Sequence, residues 1–262
     1  MKNLLRLTDL QASDIYEIFH IVDDINAGKY DGFLREKSVA LFFPAASIRT
    51  RVTFEKGIWL FGGQPILFPG DALDKRGVTR DVFGYLNNWA DLVIIRHKDI
   101  RLLEEAAKYA DVPIINAMTD VNHPCEILSD LYSLSKSRED FIHDQYLFCG
   151  KNGNIGLAWK EASEVLGFEL SQCCGAGYEM DGVQVFHEIE MAVRGKDIIC
   201  TDSLTTEELD DFKGCQVTRE VMDMANKNAV LNPQCHLDKD NIAVRILFTA
   251  SKHFVYSLFF YI

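Results

Sequence analysis

The chain has 262 residues, 48% of them hydrophobic, and is long enough for one large domain or two smaller domains with proper cores. Its formal net charge is −12 and its pI is about 5.0, which argues against nucleic acids and anionic membrane surfaces as partners. The seven cysteines are odd in number and lack the CxxC spacing of metal sites, which indicates reduced thiols in a cytoplasmic protein.

The first half of the chain alternates between helical and strand patterns. Apolar residues from Ile15 to Ile25 recur at the spacing of one helix face. Apolar runs predict strands at 38–43, 65–68, 91–95 and 113–117. Helices are predicted to begin near Thr50, to end near Trp89, to cover 102–109 and to begin at Pro124. This alternation predicts a parallel sheet with helical crossovers.

A second unit of the same kind begins near Gln145. Its predicted strands cover 146–149, 168–173, 197–200 and 229–231, and its predicted helices cover 158–166, 189–193, 207–212 and 219–224. We therefore predict an α/β fold of two doubly wound domains with parallel sheets, at residues 1–140 and 141–262.

The two ends of the chain predict no membrane attachment. Residues 1–9 lack the apolar segment of a secretion signal, so we expect none. Residues 242–262 are strongly apolar but include Arg245, Lys252 and His253. Since charged side chains are costly in a bilayer, we expect a buried element or an oligomer contact there.

Polar and cationic residues follow the first predicted strand directly. The strand at 38–43 ends at Pro44, and the segment 47–51 then supplies two hydroxyls and two guanidinium groups where a helix begins. Helix N-terminal N–H groups and arginine side chains favour a bound phosphate or carboxylate. An alternative remains open, in which Ser47 caps the helix and the arginines are solvated.

Two further strand ends are followed by titratable side chains. Arg96 and His97 come directly after the strand at 91–95, and His123 follows the strand at 113–117. Ligands of open parallel sheets bind outside the carboxyl ends of the strands, so these groups should converge with the segment 47–51. The pattern favours an active site that uses an anion.

With these motifs, the chain resembles the aspartate/ornithine carbamoyltransferase family. Ser47-Ile48-Arg49-Thr50-Arg51 is similar to the phosphate signature Ser-Thr-Arg-Thr-Arg, and His123-Pro124-Cys125-Glu126 is similar to His-Pro-x-Gln. The resemblance extends from Leu4 to about Leu231. It implies a first domain for carbamoyl phosphate, a second domain for an amino-acid acceptor, and a homotrimer with active sites between subunits.

The resemblance also implies roles for individual residues of the first domain. The phosphate of carbamoyl phosphate would contact Ser47, Ile48, Arg49 and Thr50. The carbamoyl oxygen would be polarised by Arg49, Thr50, Arg96 and His123. Glu126 would face the carbamoyl group, and Arg76 would belong to a loop, 71–76, that reaches a neighbouring subunit. No metal or organic cofactor is implied, because positioned donors can stabilise the developing oxyanion.

In the second domain, three residues match acceptor-binding positions. Asn154 matches an asparagine that binds substrate, and Asp202 matches an aspartate that binds the substrate amino group in ornithine-type members. Cys235 lies in the segment that closes the site. Aspartate-type members have a basic residue at the position of Asp202, so an ornithine-like amine is favoured over aspartate. Asp202 as a simple helix N-cap remains an alternative.

Several departures from the family pattern leave two functions open. Glu126 replaces Gln, Lys151 replaces an Asp, the Ser-Met-Gly motif is absent from 203–206, and the C-terminal segment is short and divergent. The first function is an active carbamoyltransferase, favoured by Arg49, Arg96 and His123. The second is a non-catalytic homologue that binds a phosphate ligand as a regulatory or assembly subunit, favoured by the altered acceptor half.

Overall fold

Two parallel β-sheets with flanking helices form the part of the chain that the computed structural model describes, residues 3–30, 32–74 and 78–233. The chain divides into two compact units, with the boundary between Tyr132 and Ser133. Each unit has its own sheet and its own hydrophobic core. The α/β fold with parallel sheets, predicted from the alternating pattern, is confirmed.

The first unit contains a sheet in the order β2-β1-β3-β4, with all strands parallel. The strands are β1 (Ser38–Phe43), β2 (Gln64–Pro69), β3 (Leu92–Arg96) and β4 (Ile114–Met118). The helices are α1 (Ala12–Asn26), α2 (Ile48–Leu60), α3 (Val78–Leu86), α4 (Ile100–Ala106) and α5 (Pro124–Ser137), of which α5 continues past the boundary.

The central strands of this sheet are apolar on both faces, which is why their sequences form continuous runs rather than alternating patterns. Residues 39–43 of β1 and residues 92–95 of β3 are buried. On one face, Ala40 and Phe42 belong to a core cluster that includes Phe83 of α3. Burial of these strands brings the polar residues that follow them to a common edge of the sheet.

The second unit contains a sheet in the order β7-β6-β5-β8-β9, again with all strands parallel. The strands are β5 (Gln145–Cys149), β6 (Glu169–Cys173), β7 (Gln184–Phe186), β8 (Ile198–Thr201) and β9 (Val230–Pro233). The helices are α6 (Asn154–Leu166), α7 (Ile189–Ala192) and α8 (Arg219–Met222).

One predicted helix, at 207–212, is wrong. Residues 206–212 form successive turns, followed by a short 3₁₀ helix at Lys213–Cys215. The carboxylate of Glu208 accepts a hydrogen bond from the backbone N–H of Thr205, which holds the chain in a local turn. The predicted tail element at 242–262 lies outside the described residues.

The strand order creates one switch point in each sheet. In the first sheet the chain proceeds from β1 to β2 on one side and then crosses to β3 on the other. In the second sheet the corresponding reversal lies between β5 and β8. Ligands of such folds bind at the carboxyl ends of the strands on either side of the reversal. Within the described residues, no helix has the length and apolar character needed to cross a membrane.

Candidate active site

Ser47 precedes the first residue of α2, but its side chain does not cap the helix. Its hydroxyl oxygen is buried and has no hydrogen-bond partner among the described residues. A buried hydroxyl without a partner is costly, which makes it a natural donor to a ligand. The capping alternative for Ser47 is therefore not supported by the geometry. The neighbouring Ile48 has an exposed side chain, and its N–H donates to the carbonyl of Ala46 at 2.9 Å.

Arg96 connects the end of β3 to the first turn of α2. Its Nη1 donates a hydrogen bond to Oγ1 of Thr50, with an N···O distance of 2.8 Å. Burial lowers the pKa of Arg96, the nearby Arg49 lowers it further, and Glu126 raises it. The two guanidinium groups are thus close enough to repel each other. An anion between them would relieve that repulsion.

Arg49 and Arg51 have different surroundings, although they are two positions apart. Arg51 forms an ion pair with Glu55 one turn further along α2, at 3.5 Å. The charge of Arg49 instead lowers the pKa of Arg96 and the pKa of Glu126. The structure therefore places Arg49 in the candidate site and directs Arg51 along the helix surface.

His123 is buried at the end of the loop between β4 and α5, with its Nε2 3.4 Å from Oε2 of Glu126. Burial, assisted by the charge of Arg96, lowers the pKa of His123 to about 3. The imidazole is therefore neutral at pH 7, and its Nδ1 has no hydrogen-bond partner among the described residues. A neutral imidazole can polarise a carbonyl by donating a hydrogen bond, without adding a charge to the site.

Glu126 is in the first turn of α5 and faces both guanidinium groups. Burial raises the pKa of its carboxyl group, while Arg49 and Arg96 lower it. The side chain is still 43% exposed, so water screens these opposing effects. The structure thus brings Ser47, Arg49, Thr50, Arg96, His123 and Glu126 together within the first unit.

The loop that presents His123 is held by a buried polar network that sequence reasoning missed. The side-chain amide of Asn116 donates to Oδ1 of Asn122 at 2.7 Å, and the amide of Asn122 donates to the carbonyl of Leu5 at 3.1 Å. Both asparagines are fully buried. The sequence could have indicated this network through Asn116, a polar residue in an otherwise apolar strand, because buried amides require fixed partners.

His97 follows the same strand as Arg96 but interacts elsewhere. Its Nδ1 accepts from the N–H of Asp99 at 3.1 Å, so its Nε2–H donates to Oδ1 of Asp74 at 2.8 Å. The convergence expected from the sequence therefore holds for Arg96 and not for His97. His97 holds Asp74, at the beginning of the segment that contains Arg76.

In the second unit, Asp202 directly follows β8 at the switch point of the sheet. Its backbone N–H donates to the carbonyl of Cys149 at the end of β5, at 3.3 Å. Burial raises the pKa of Asp202, and the charge of Lys151 lowers it. Irregular residues and turns follow Asp202, so it does not cap a helix. Asn154, at the first position of α6, belongs to the same β5–α6 connection as Lys151.

Lys151 also forms an ion pair that sequence reasoning missed. Its Nζ lies 2.7 Å from Oε1 of Glu208, and the second oxygen of Glu208 accepts from the N–H of Thr205 at 2.8 Å. Lys151, Asp202 and Glu208 together have a formal charge of −1, which suits a cationic ligand group. The sequence could have indicated this ion pair, because Lys151 stands where the family pattern has an acidic residue.

Two expected site residues, Arg76 and Cys235, lie outside the described residues. Within the described residues, no group of three or more His, Cys, Asp or Glu side chains could hold a metal ion. Among the described residues, the first unit has hydroxyl, guanidinium, imidazole and carboxyl groups at the carboxyl edge of its sheet. The second unit, taken by itself, has the ammonium and carboxyl groups of Lys151, Asp202 and Glu208 at the carboxyl edge of its own sheet.

Comparison with known proteins identifies the family of the chain. Residues 2–136 match the family model described as the aspartate/ornithine carbamoyltransferase, carbamoyl-P binding domain. The ornithine carbamoyltransferase of Chromohalobacter salexigens is 34% identical over 213 residues, which are 74% of this chain and 70% of that protein. That of Geobacter sulfurreducens is 30% identical over 222 residues, covering 77% and 73% of the two chains.

Solved structures show the same fold. The anabolic ornithine carbamoyltransferase of Campylobacter jejuni superposes with a TM-score of 0.88 at 20% identity, covering 100% of this chain and 98% of that one. At this level of identity the likeness establishes the fold alone, whereas the family match and the curated relatives establish the lineage. The chain therefore belongs to the aspartate/ornithine carbamoyltransferase family.

Proposed function

We propose that this chain transfers the carbamoyl group of carbamoyl phosphate to the amine of an ornithine-like amino acid. The observation that supports this most directly is the cluster of Arg49, Arg96 and His123 at the switch point of the first sheet. Two cations and a neutral hydrogen-bond donor converge there, joined by the bond from Arg96 to Thr50. The curated relatives described above are named ornithine carbamoyltransferase, which supports the same acceptor class.

In this proposal the phosphate binds at the first turn of α2. The unpartnered hydroxyl of Ser47 donates to a phosphate oxygen, and the guanidinium of Arg49 neutralises part of its charge. Thr50 keeps its hydrogen bond with Arg96 and offers its backbone N–H. Ile48, the first residue of the helix, also contacts the phosphate in this proposal.

The carbamoyl oxygen then lies between Arg96 and His123. The unprotonated acceptor amine attacks the carbonyl carbon, and the electron pair of the C=O bond moves to the oxygen. Arg96 stabilises this oxyanion by charge and His123 by hydrogen bonding. The C–O bond to phosphate breaks as the carbonyl re-forms, phosphate departs with that electron pair, and the proton lost by the amine goes to the departing phosphate. The fixed position of Arg96 limits the reorganisation needed during the reaction.

The second unit binds the acceptor in this proposal. The carboxylate of Asp202 attracts the ammonium group of the amino acid, and Asn154 hydrogen-bonds its polar backbone atoms. The excess negative charge shared by Lys151, Asp202 and Glu208 favours a basic acceptor over aspartate.

We also propose that the chain forms a homotrimer, or a multiple of one, in the cytoplasm. Ile48, Val52 and Trp59 have side chains that are exposed by 68%, 57% and 63%, and their spacing places them on one face of α2. An exposed apolar stripe beside the phosphate site is typical of a subunit contact. No disulfide links the six cysteines of the described residues to one another, which supports a reducing compartment. Light scattering that finds a fully active monomer would contradict the trimer.

Phosphate release from carbamoyl phosphate, measured against ornithine, aspartate and simple diamines, tests the activity. We expect turnover with ornithine or a close analogue and none with aspartate. Calorimetry should show carbamoyl phosphate binding weakened at least tens-fold in Arg49→Ala, because a charge-assisted contact is lost. Arg51→Ala is the matched control and should bind normally. Binding without turnover on any amine would favour the non-catalytic homologue instead.

A further inference from the structure

Glu126 introduces an anion into a site built for an anion. The charge of its carboxyl group raises the pKa of Arg96, and the charges of Arg49 and Arg96 lower the pKa of Glu126. Its Oε2 lies 3.4 Å from Nε2 of His123. Arg49 belongs to α2, Arg96 to β3 and Glu126 to α5, so three elements meet around this carboxylate. Glu126 thus contacts His123 and lies within electrostatic range of both arginines.

The charges of this cluster balance differently with and without a ligand. Arg49 and Arg96 each contribute +1, ionised Glu126 contributes −1, and buried His123 is neutral. The sum is +1 in the free site. A bound dianion would change it to −1 if Glu126 stayed ionised, and to zero if Glu126 accepted a proton. Excess charge in a partly desolvated site is unfavourable, so the protonated form is preferred.

We propose that Glu126 takes up a proton from solvent when a phosphate-type dianion binds between Arg49 and Arg96. The proton converts the carboxylate to a carboxylic acid, and no covalent bond of the ligand changes in this step. The inference rests on the proposed function in that it assigns a dianion to the same site. It deepens that function by making ligand affinity depend on proton concentration through one residue.

The surroundings of Glu126 favour this response. Burial raises the pKa of Glu126, and only the two arginines oppose that effect. A dianion bound to both guanidinium groups neutralises the charges that lower the pKa of Glu126. The negative charge of the dianion also repels the carboxylate, so both changes raise the pKa of Glu126 further. Among the described residues, the remaining neighbours are His123 and Cys125, whose thiol has a raised pKa and donates to the carbonyl of Asn116 at 3.2 Å. Neither supplies a charge at neutral pH.

Because protonation accompanies binding, affinity rises as pH falls. A carboxyl group that is ionised in the free site and protonated in the complex changes the affinity by up to about tenfold per pH unit. The proton is taken up most fully at pH values between the pKa of free Glu126 and its pKa in the complex.

Calorimetry with inorganic sulfate tests this directly, because sulfate remains a dianion and cannot itself take up the proton. Binding enthalpies in buffers of different ionisation enthalpy, between about pH 6 and pH 8.5, give the number of protons absorbed. We expect the wild type to take up as much as about one proton per site, with weaker binding as pH rises. Glu126→Gln should bind sulfate without proton uptake and with an affinity that does not depend on pH. At the upper end of the pH range it should bind sulfate more tightly than the wild type.

Two controls define the outcomes. Arg51→Ala should keep the proton uptake, since Arg51 pairs with Glu55 outside the cluster. Wild-type binding without proton uptake would overturn the inference, and so would uptake that persists in Glu126→Gln. The first result needs no variant, so misfolding of Glu126→Gln would leave the test intact. Either result leaves the proposed function standing, whereas failure of both sulfate and carbamoyl phosphate to bind would remove the anion site and that function together.

Discussion

Arg96 and Thr50 are 46 positions apart in the sequence, yet Nη1 of Arg96 donates a 2.8 Å hydrogen bond to Oγ1 of Thr50. They meet because β1 and β3 are adjacent parallel strands, with Ala40 opposite Val93. Each strand end therefore presents its next side chains at the same edge of the sheet. The bond fixes a guanidinium group beside the first turn of α2 before any ligand arrives.

The first prediction concerns that bond. Thr50→Val preserves the shape of the side chain and removes the acceptor, which leaves Arg96 without its anchor. Since hydrogen bonds to charged groups contribute about 1.5–3 kcal/mol, kcat/KM should fall by roughly tenfold to a hundredfold. Thr53→Val is the matched control, because its hydroxyl donates only to the exposed carbonyl of Arg49. Equal losses in the two variants would show that the bond has no special role.

The second prediction separates ligand binding from helix capping at Ser47. Ser47→Ala removes a buried, unpartnered hydroxyl that caps nothing, so the free energy of unfolding should stay the same or rise. Affinity for carbamoyl phosphate should nevertheless fall. Asp99→Ala provides the comparison, because Asp99 does cap α4 by accepting from the N–H of Arg101. That variant should lose about 0.5–2 kcal/mol of stability in urea unfolding.

The third prediction assigns the acceptor to the second unit. Asp202→Asn removes the charge that would attract the acceptor ammonium group, so KM for the ornithine-like acceptor should rise by roughly tenfold or more. Affinity for carbamoyl phosphate should stay the same in calorimetry. Asp210→Asn is a suitable control, because Asp210 is exposed and pairs with Lys213. A rise in carbamoyl phosphate Kd with an unchanged acceptor KM would contradict the assignment.

The fourth prediction tests packing in the second unit with two glycines. A Cβ at Gly175 would lie 2.4 Å from the backbone oxygen of Asp211, so Gly175→Ala should destabilise the chain by about 1–3 kcal/mol. A Cβ at Gly84, inside α3, would meet nothing within 4 Å. Gly84→Ala should therefore stabilise the chain by about 0.5–1 kcal/mol through helix propensity. Thermal unfolding of both variants shows whether each substitution lowers or raises the stability. Unchanged stability of Gly175→Ala would disprove the close approach of Gly175 to Asp211.

The amino-acid sequence by itself determined the α/β class, the strands and the motif residues. Apolar runs such as 38–43 and 91–95 identify buried parallel strands, because both faces of such strands are covered. The hydroxyl and guanidinium groups of 47–51 predict an anion site, because the hydrogen-bonding chemistry of these residue types favours a phosphate or carboxylate. The helix predicted at 207–212 is absent: residues 206–212 form turns, in which Glu208 pairs with Lys151, a contact 57 positions away that local helical spacing cannot reveal.

Only the tertiary structure decided which of the candidate side chains act together. Local periodicity cannot reveal strand order, so the adjacency of β1 and β3 had to come from the packed sheet. That packing joins Arg96 to Thr50 and directs His97 to Asp74 instead. It also makes His123 neutral, because desolvation depends on every atom that surrounds a group and not on its sequence neighbours.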